Sequence, residues 1–159
     1  MHVPPEGAHP FFYTLLVFVH IFVTMVAVGL NASYAIWISR GAKDAASLPF
    51  ALRGVKFLDD YVANPCYLLG GLTGVLMIAM GKAIAPYLWA AIGLYIVAMA
   101  VAYGFYTPLL SRQIRLLEAK GASDAEYQAL AQRSNRVGVA MGVMVVLIVL
   151  LKIFEPSLG

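Results

Sequence analysis

The residues best suited to chemistry lie along one face of the first apolar segment of the chain. Polar and small side chains recur there at a spacing of about 3.5 residues, which marks one side of a helix: Tyr13, Val17, His20, Thr24, Ala27, Asn31 and Tyr34. The imidazole of His20 can ligate a metal or exchange a proton near neutral pH. The pattern makes His20 a candidate axial ligand of haem iron, the one metal role that we predict for it, or a proton relay.

A plainer interpretation of His20 stays open. A neutral histidine in this position could simply be hydrogen-bonded to a tyrosine or to a backbone carbonyl of another helix. His2 and His9 precede the segment, so a bis-histidine haem would require two chains or another subunit. A second ligand could instead be a methionine sulfur, although each methionine also suits simple packing: Met25, Met77, Met80, Met99, Met141 and Met144.

Lys152 is a second, weaker candidate for cofactor binding. It follows the last apolar run of the chain, near the end of its helix. Lys152 and His20 are expected to be offset by roughly 10 Å along the membrane normal. The two could share a site only if the long lysine side chain spans this distance. The competing interpretation is that the ammonium snorkels to the headgroups.

The elements that position these residues follow from the composition. The chain has 159 residues, of which 62% are hydrophobic and only 12% charged, against about a quarter charged in ordinary soluble proteins. Four stretches lack Asp, Glu, Lys and Arg, namely 7–39, 61–81, 83–111 and 137–151, and a bilayer core needs roughly 20 helical residues. We predict an all-α fold, a four-helix bundle integral to the lipid bilayer, as one domain over 1–159. The helices are expected at about 11–39, 61–81, 84–120 and 123–154.

The distribution of positive charge predicts the orientation of the bundle. Nine basic residues fall in the first and third loops: Arg40, Lys43, Arg53, Lys56, Arg112, Arg115, Lys120, Arg133 and Arg136. Only Lys82 and Lys152 fall at the other end. By the positive-inside rule both loops are cytoplasmic and both termini lie outside, in a bacterial inner membrane. The excess of basic residues therefore reflects the orientation of the protein in the membrane and does not indicate a nucleic-acid partner.

Several shorter features complete the predicted architecture. Residues 47–60 form an amphipathic pattern that predicts a helix lying in the interface. Asn64-Pro65 then predicts a fresh helix start, with a kink in one continuous helix as the alternative. Ser123 and Glu126 fit a capping box. The third and fourth helices are expected to extend into the cytoplasm, where they dock a partner or merely pack on each other.

Other residues of the predicted spans either add to the polar interior or exclude certain functions. Tyr67 and Tyr103 are expected to join Thr24 and Asn31 there. The predicted spans contain no paired carboxylates of the kind that a proton-driven pump uses. The single cysteine, Cys66, excludes an internal disulfide and a zinc cluster within one chain.

Beyond these patterns, the chain resembles a bacterial family of four-helix membrane proteins known as domain of unknown function 2269. The resemblance covers nearly the whole chain and rests on short motifs: His20 with Gly29, the Asp60 region leading into 65–69 and 72–74, Trp89, and Lys152 with Pro156. More distantly, the early histidine and late lysine are similar to the pattern of HemJ-type protoporphyrinogen oxidases and copper-resistance D-type membrane domains. That similarity implies b-type haem and quinone-linked redox chemistry, while Ala27 and Leu30 depart from the pattern.

Three functions are compatible with the sequence. The first is a haem b-binding or redox-associated membrane protein, a component of electron transport, in which His20 is the ligand and the chain belongs to a larger complex. The second is a non-redox accessory or assembly subunit, working as a homo-oligomer or with other membrane subunits. The third is an oligomeric conduit for a small molecule or ion, lined by Thr24, Asn31 and Tyr34. No catalytic residues are assigned, and whether the protein is an enzyme is left open.

Overall fold

A computed structural model describes residues 9–81 and 85–154 and folds this part of the chain into four long helices. They are α1 (Pro10–Gly41), α2 (Leu48–Ala79), α3 (Pro86–Lys120) and α4 (Ala125–Phe154), each long and apolar enough to cross a membrane. No strand occurs in these two ranges. The predicted all-α, four-helix membrane fold is confirmed. His2, Lys82 and Pro156, which the sequence argument uses, lie outside the described residues, as does residue 84, where the third helix is predicted to begin.

Prolines and short side-chain caps define the helix ends. Pro10, Pro49 and Pro86 each lie in the first turn of a helix, where the missing proline N–H would have no partner in any case. Gly121 ends α3 with φ +83°, a backbone conformation that favours glycine. At the start of α4, Asp124 Oδ1 accepts hydrogen bonds from the backbone N–H groups of residues 126 (2.9 Å) and 127 (3.1 Å).

The predicted capping box at the start of α4 is therefore wrong in its residues. Asp124 caps the helix in place of Ser123, because its carboxylate reaches the first free N–H groups directly. The side chain of Glu126 instead accepts hydrogen bonds from Lys120 at 2.7 Å and from Arg112 at 3.3 Å. These contacts tie the end of α3 to the start of α4.

The α2 helix runs without a break through the segment that the sequence analysis divides in two. It is α-helical over Leu48–Leu58, makes one wider π-helical turn over Asp59–Ala63, and continues as α-helix over Asn64–Ala79. Residues 47–60, predicted as an interfacial segment, are thus joined directly to the second span. The continuous helix was the alternative interpretation of Asn64-Pro65.

A second π-helical turn, Ala102–Tyr106, lies within α3, which likewise continues beyond it. In both helices the turn closes with an N–H bonded five residues back, from residue 64 to Asp59 and from residue 107 to Ala102. Pro65 and Pro108 follow immediately. A proline ring crowds the carbonyl four residues earlier and donates no hydrogen bond, so the wider turn makes room for it.

The four helices form two pairs that join at one end of the bundle. Helix α1 packs along α2, and α3 packs along α4, while the first part of α2 contacts the last part of α3. We call this end, which carries loops 42–47 and 121–124 and most of the basic residues, the basic end. Its core contains Leu52, Val55 and Leu110, all 1% exposed or less, and an Arg53–Glu118 ion pair of 2.7 Å spans α2 and α3.

Packing is looser toward the opposite end of the bundle. The buried residues of α4 all lie in its first ten positions, Tyr127, Leu130 and Ser134. Large apolar side chains are exposed along the rest of the helices, as expected for surfaces that meet lipid tails. The bundle therefore has a tightly packed basic half, whereas in the opposite half the two helix pairs make fewer close contacts.

Candidate functional site

His20 lies in the contact between α1 and α2, with its ring half-buried. Its Nδ1 atom is 2.9 Å from the carbonyl oxygen of Gly70 and 3.0 Å from the Thr73 hydroxyl. A carbonyl oxygen only accepts hydrogen bonds, so the bond to Gly70 assigns the proton to Nδ1. In the neutral ring Nε2 is then the basic nitrogen, the one able to bind a metal.

Small residues of α2 allow α1 to come close at His20. A Cβ atom added to Gly70 would lie 2.9 Å from the Thr24 methyl carbon, and one added to Gly74 would lie 3.5 Å from Cε1 of His20. The Thr24 hydroxyl donates to the His20 carbonyl within α1, at 2.7 Å. The Thr24 methyl group therefore packs against α2, while its hydroxyl is satisfied by α1 itself.

A second polar layer lies between His20 and the basic end. The Asn31 amide of α1 donates a hydrogen bond of 2.7 Å to the Tyr67 hydroxyl of α2. The Tyr95 hydroxyl of α3 donates to the Tyr67 carbonyl at 3.1 Å, directly over Gly71. This layer joins three helices, because Tyr67 accepts bonds from α1 and from α3.

A third polar cluster is formed where the two π-helical turns face each other. Asp59 of α2 is only 4% exposed. One of its carboxylate oxygens, Oδ2, accepts hydrogen bonds from the Thr107 hydroxyl at 3.0 Å and from the Asn64 amide at 3.2 Å. We call Asp59, Asn64 and Thr107, together with Tyr34 of α1, the Asp59 cluster. The sequence analysis missed it, since it assigned residue 59 to an interfacial helix.

Tyr34 contributes a polar atom that the described residues leave without a partner. Its side chain is 4% exposed, and its buried hydroxyl has no hydrogen-bond partner within residues 9–81 and 85–154. The ring packs in one continuous apolar core with Val55, Ala63 and Tyr106. The hydroxyl lies within electrostatic range of the Asp59 carboxylate.

The remaining predicted site residues are dispersed. Tyr13 is buried in the opposite half at 2% exposure, whereas Tyr103 is 44% exposed and is not part of the buried interior. The Lys152 ammonium lies 5.3 Å from the centre of the Tyr87 ring, a cation–π distance within the α3–α4 pair. Met77, buried on α2, is one turn beyond Gly74 on the face that meets α1.

The donor set around His20 consists of one imidazole with a carbonyl and a hydroxyl partner. Within the described residues no group of three His, Cys, Asp or Glu side chains could hold a metal. A porphyrin supplies four ligands to its iron, so that one histidine is sufficient from the protein. Metal-binding histidines commonly donate their other N–H to a backbone carbonyl, as His20 does to Gly70.

The loop between α1 and α2 carries a hydrogen-bonded carboxylate. The Ser47 hydroxyl donates a 2.6 Å hydrogen bond to the Asp44 carboxylate, and the N–H of residue 46 donates another at 3.1 Å. The Ser47 hydrogen bond, with the backbone bond, holds the pKa of Asp44 below its ordinary value. The loop therefore keeps a negative charge among the basic residues of this end.

Comparison with known proteins identifies the family. The family model described as "Predicted integral membrane protein (DUF2269)" matches residues 14–156, which is nearly the whole chain. The chain belongs to this family. No curated protein and no solved structure matches it. The matched region includes α1 from Thr14 onward and the other three helices completely, with the His20 contact and the Asp59 cluster, so membership agrees with the four spans that the structure contains.

Proposed function

We propose that this protein is a haem-binding, redox-associated membrane component in which His20 is an axial ligand of a b-type haem. The observation that carries the proposal is the bond from Nδ1 of His20 to the Gly70 carbonyl, at 2.9 Å, an arrangement that metal-binding histidines share with the purely structural histidine described above. This bond directs the lone pair to Nε2 and fixes the ring plane against α2. When bound, the haem iron would supply one-electron transfer.

The residues of the α1–α2 contact have separate tasks in this proposal. The Gly70 carbonyl and the Thr73 hydroxyl orient the imidazole and make Nε2 a stronger ligand. Gly74 leaves the ring face next to α2 without a side chain. A second protein ligand for the haem would be Met77 or the His20 of a second copy, which is why we propose that the protein works as a homo-oligomer or with other membrane subunits.

The distribution of basic residues supports the proposed location. We place the basic end in the cytoplasm of a bacterium and both termini outside its inner membrane, because nine of the eleven Lys and Arg residues belong to this end. The His20 contact then lies in the outer half of the bilayer. A lipid-soluble electron carrier could approach it from the membrane.

An absorption spectrum of the purified protein tests the proposal. Protein extracted from haem-replete cells should show a Soret band, and His20→Ala should abolish it. His9→Ala is the matched control, since His9 is exposed and precedes α1. A colourless wild-type preparation, or a Soret band that is unchanged in His20→Ala, would contradict the proposal.

A second candidate function is that of a non-redox assembly subunit, and the basic end favours it. The α3–α4 hairpin exposes charged side chains there, including Arg112, Glu118, Lys120 and Glu126. Polar, solvent-accessible side chains form the rim of many protein–protein interfaces. Native mass spectrometry of gently extracted membranes should then show a stable complex that contains this chain, together with a colourless protein. A single free chain would contradict this candidate.

A further inference from the structure

The starting point is the charge balance around Asp59. Lys56 forms an ion pair with Asp60, one turn along α2. No ion pair among the described residues includes Asp59, although it is only 4% exposed. With both carboxylates ionised, two carboxylates and one ammonium leave one negative charge without a counter-ion in this turn, and burying an uncompensated charge is costly. Hydrogen bonds from Asn64 and Thr107 reduce that cost without supplying a positive charge.

The second observation is the Tyr34 hydroxyl, which reaches the same region from α1. It is a buried polar atom without a hydrogen-bond partner in the described part of the chain. Leaving a buried hydroxyl unsatisfied costs about 1–3 kcal/mol. Its electrostatic neighbours are the Asp59 carboxylate and the phenols of Tyr106 and Tyr67. The Tyr34 ring packs in the same core as Val55 and Ala63, which flank Asp59 on α2, so its hydroxyl offers a free oxygen in the region of the Asp59 carboxylate.

The backbone of α2 and α3 is also unusual near Asp59. Asp59–Ala63 and Ala102–Tyr106 are π-helical turns, and such turns concentrate at functional positions of helices. The donors here are all oxygen atoms, namely Oδ1 of Asp59, the Tyr34 hydroxyl and the Thr107 hydroxyl. Oxygen donors suit a hard cation.

We propose that the Asp59 cluster binds one small monovalent metal cation, with the Asp59 carboxylate and the Tyr34 hydroxyl as its protein ligands. A single positive charge balances the turn that contains Lys56, Asp59 and Asp60. A divalent ion would overcompensate it. The site is separate from His20 and does not depend on haem binding, because different residues of α1 and α2 form the two.

Sodium is the probe for the test. The thermal unfolding midpoint of the purified full chain in detergent is measured while sodium chloride replaces N-methyl-glucamine chloride at constant ionic strength. The wild-type midpoint should rise with sodium, because a ligand that binds only the folded state stabilises it. In Asp59→Asn the rise should be lost. That variant removes the charge and keeps an oxygen acceptor, so it should be at least as stable as the wild type without sodium.

Tyr34→Phe provides a second, milder test, since the ring and its packing are retained. The sodium concentration for the half-maximal rise should increase about tenfold, the effect of losing one ligand oxygen. Tyr127→Phe is the matched control, because Tyr127 is a buried tyrosine of the same core. Asp44→Asn is the control for the carboxylate, as it lies in the exposed loop. Both controls should respond to sodium like the wild type.

Two results would overturn the proposal. One is a wild-type midpoint that responds equally to sodium and to N-methyl-glucamine. The other is a midpoint that responds to acid alone and to no metal cation, which would assign the balancing charge to a proton. A sodium response that persists in Asp59→Asn would place the ion elsewhere and would also overturn it.

Discussion

At the scale of single residues, two polar side chains of α1 are each paired with specific partners on α2. His20 contacts Gly70 and Thr73, and Asn31 donates to Tyr67. In hydrocarbon an unpaired polar group is costly, so each pair fixes the rotation of α1 against α2. The spacing of polar residues in α1 was visible in the sequence. Their partners could not be predicted, because the amino-acid sequence does not show which turn of α2 lies next to each residue of α1.

Asp59 shows what residue patterns alone could not reveal. In the sequence it stands between Lys56 and Asp60, in an amphipathic stretch that suits an interface. The π-helical turn changes the rotation of the helix at this point and turns Asp59 inward, toward Thr107 of α3. One sequence feature does mark the two π-helical turns. Each turn is followed directly by a polar residue and a proline, Asn64-Pro65 in α2 and Thr107-Pro108 in α3.

The Asn31–Tyr67 hydrogen bond gives a residue-scale prediction. In a double-mutant cycle of Asn31→Leu and Tyr67→Phe, the coupling free energy should be about 0.6 kcal/mol and no more than about 1.7 kcal/mol, as for other hydrogen bonds between membrane helices. Unfolding in mixed micelles measures it. Ser33→Ala paired with Tyr67→Phe is the control, because Ser33 bonds within its own helix at Leu30 and should show no coupling. Zero coupling between Asn31 and Tyr67 would show that the bond does not form.

At the scale of elements, glycine sets the distance between α1 and α2. Gly70 faces the Thr24 methyl group, so the two backbones approach more closely than side chains would allow. The sequence analysis identified Gly70 and Gly74 as packing positions of the second span. It could not say which helix they contact, because small residues mark a close approach without naming the partner.

Gly70→Ala tests this close approach. The added Cβ would lie 2.9 Å from the Thr24 methyl carbon, so we expect a loss of about 1–3 kcal/mol in unfolding free energy. Thr24→Ser removes that methyl group, keeps the hydroxyl and should restore most of the loss in the double variant. Gly29→Ala is the control, since a Cβ there meets nothing within 4 Å and alanine favours the helix. Equal losses at both glycines would contradict the contact.

At the scale of the whole molecule, composition and charge predicted the architecture well. Four uncharged stretches correspond to four helices, and the loops between them fall close to the predicted positions. The helix bounds extend further because charged ends of α2, α3 and α4 continue past the apolar stretches. The polar residues proposed to line a conduit, Thr24, Asn31 and Tyr34, are half-buried or buried among helices of one chain. A conduit within a single bundle is therefore not favoured.

The orientation of the bundle can be tested with single cysteines in a Cys66→Ala background. His9→Cys marks the start of α1, and Ala45→Cys marks the exposed loop at the basic end. A membrane-impermeant maleimide should label His9→Cys in intact cells and Ala45→Cys only after permeabilisation, because the basic loops are retained inside. The reverse labelling pattern would contradict the proposed location.

The most direct test of the central claim, that the His20 imidazole binds haem iron, is chemical rescue. His20→Gly removes the ring and leaves space that free imidazole can enter. We predict that this variant, expressed in haem-replete cells, lacks the wild-type Soret band and regains it when imidazole is added. A variant that keeps the wild-type band without imidazole, or a wild-type protein with no band, would show that His20 has only a structural role between α1 and α2.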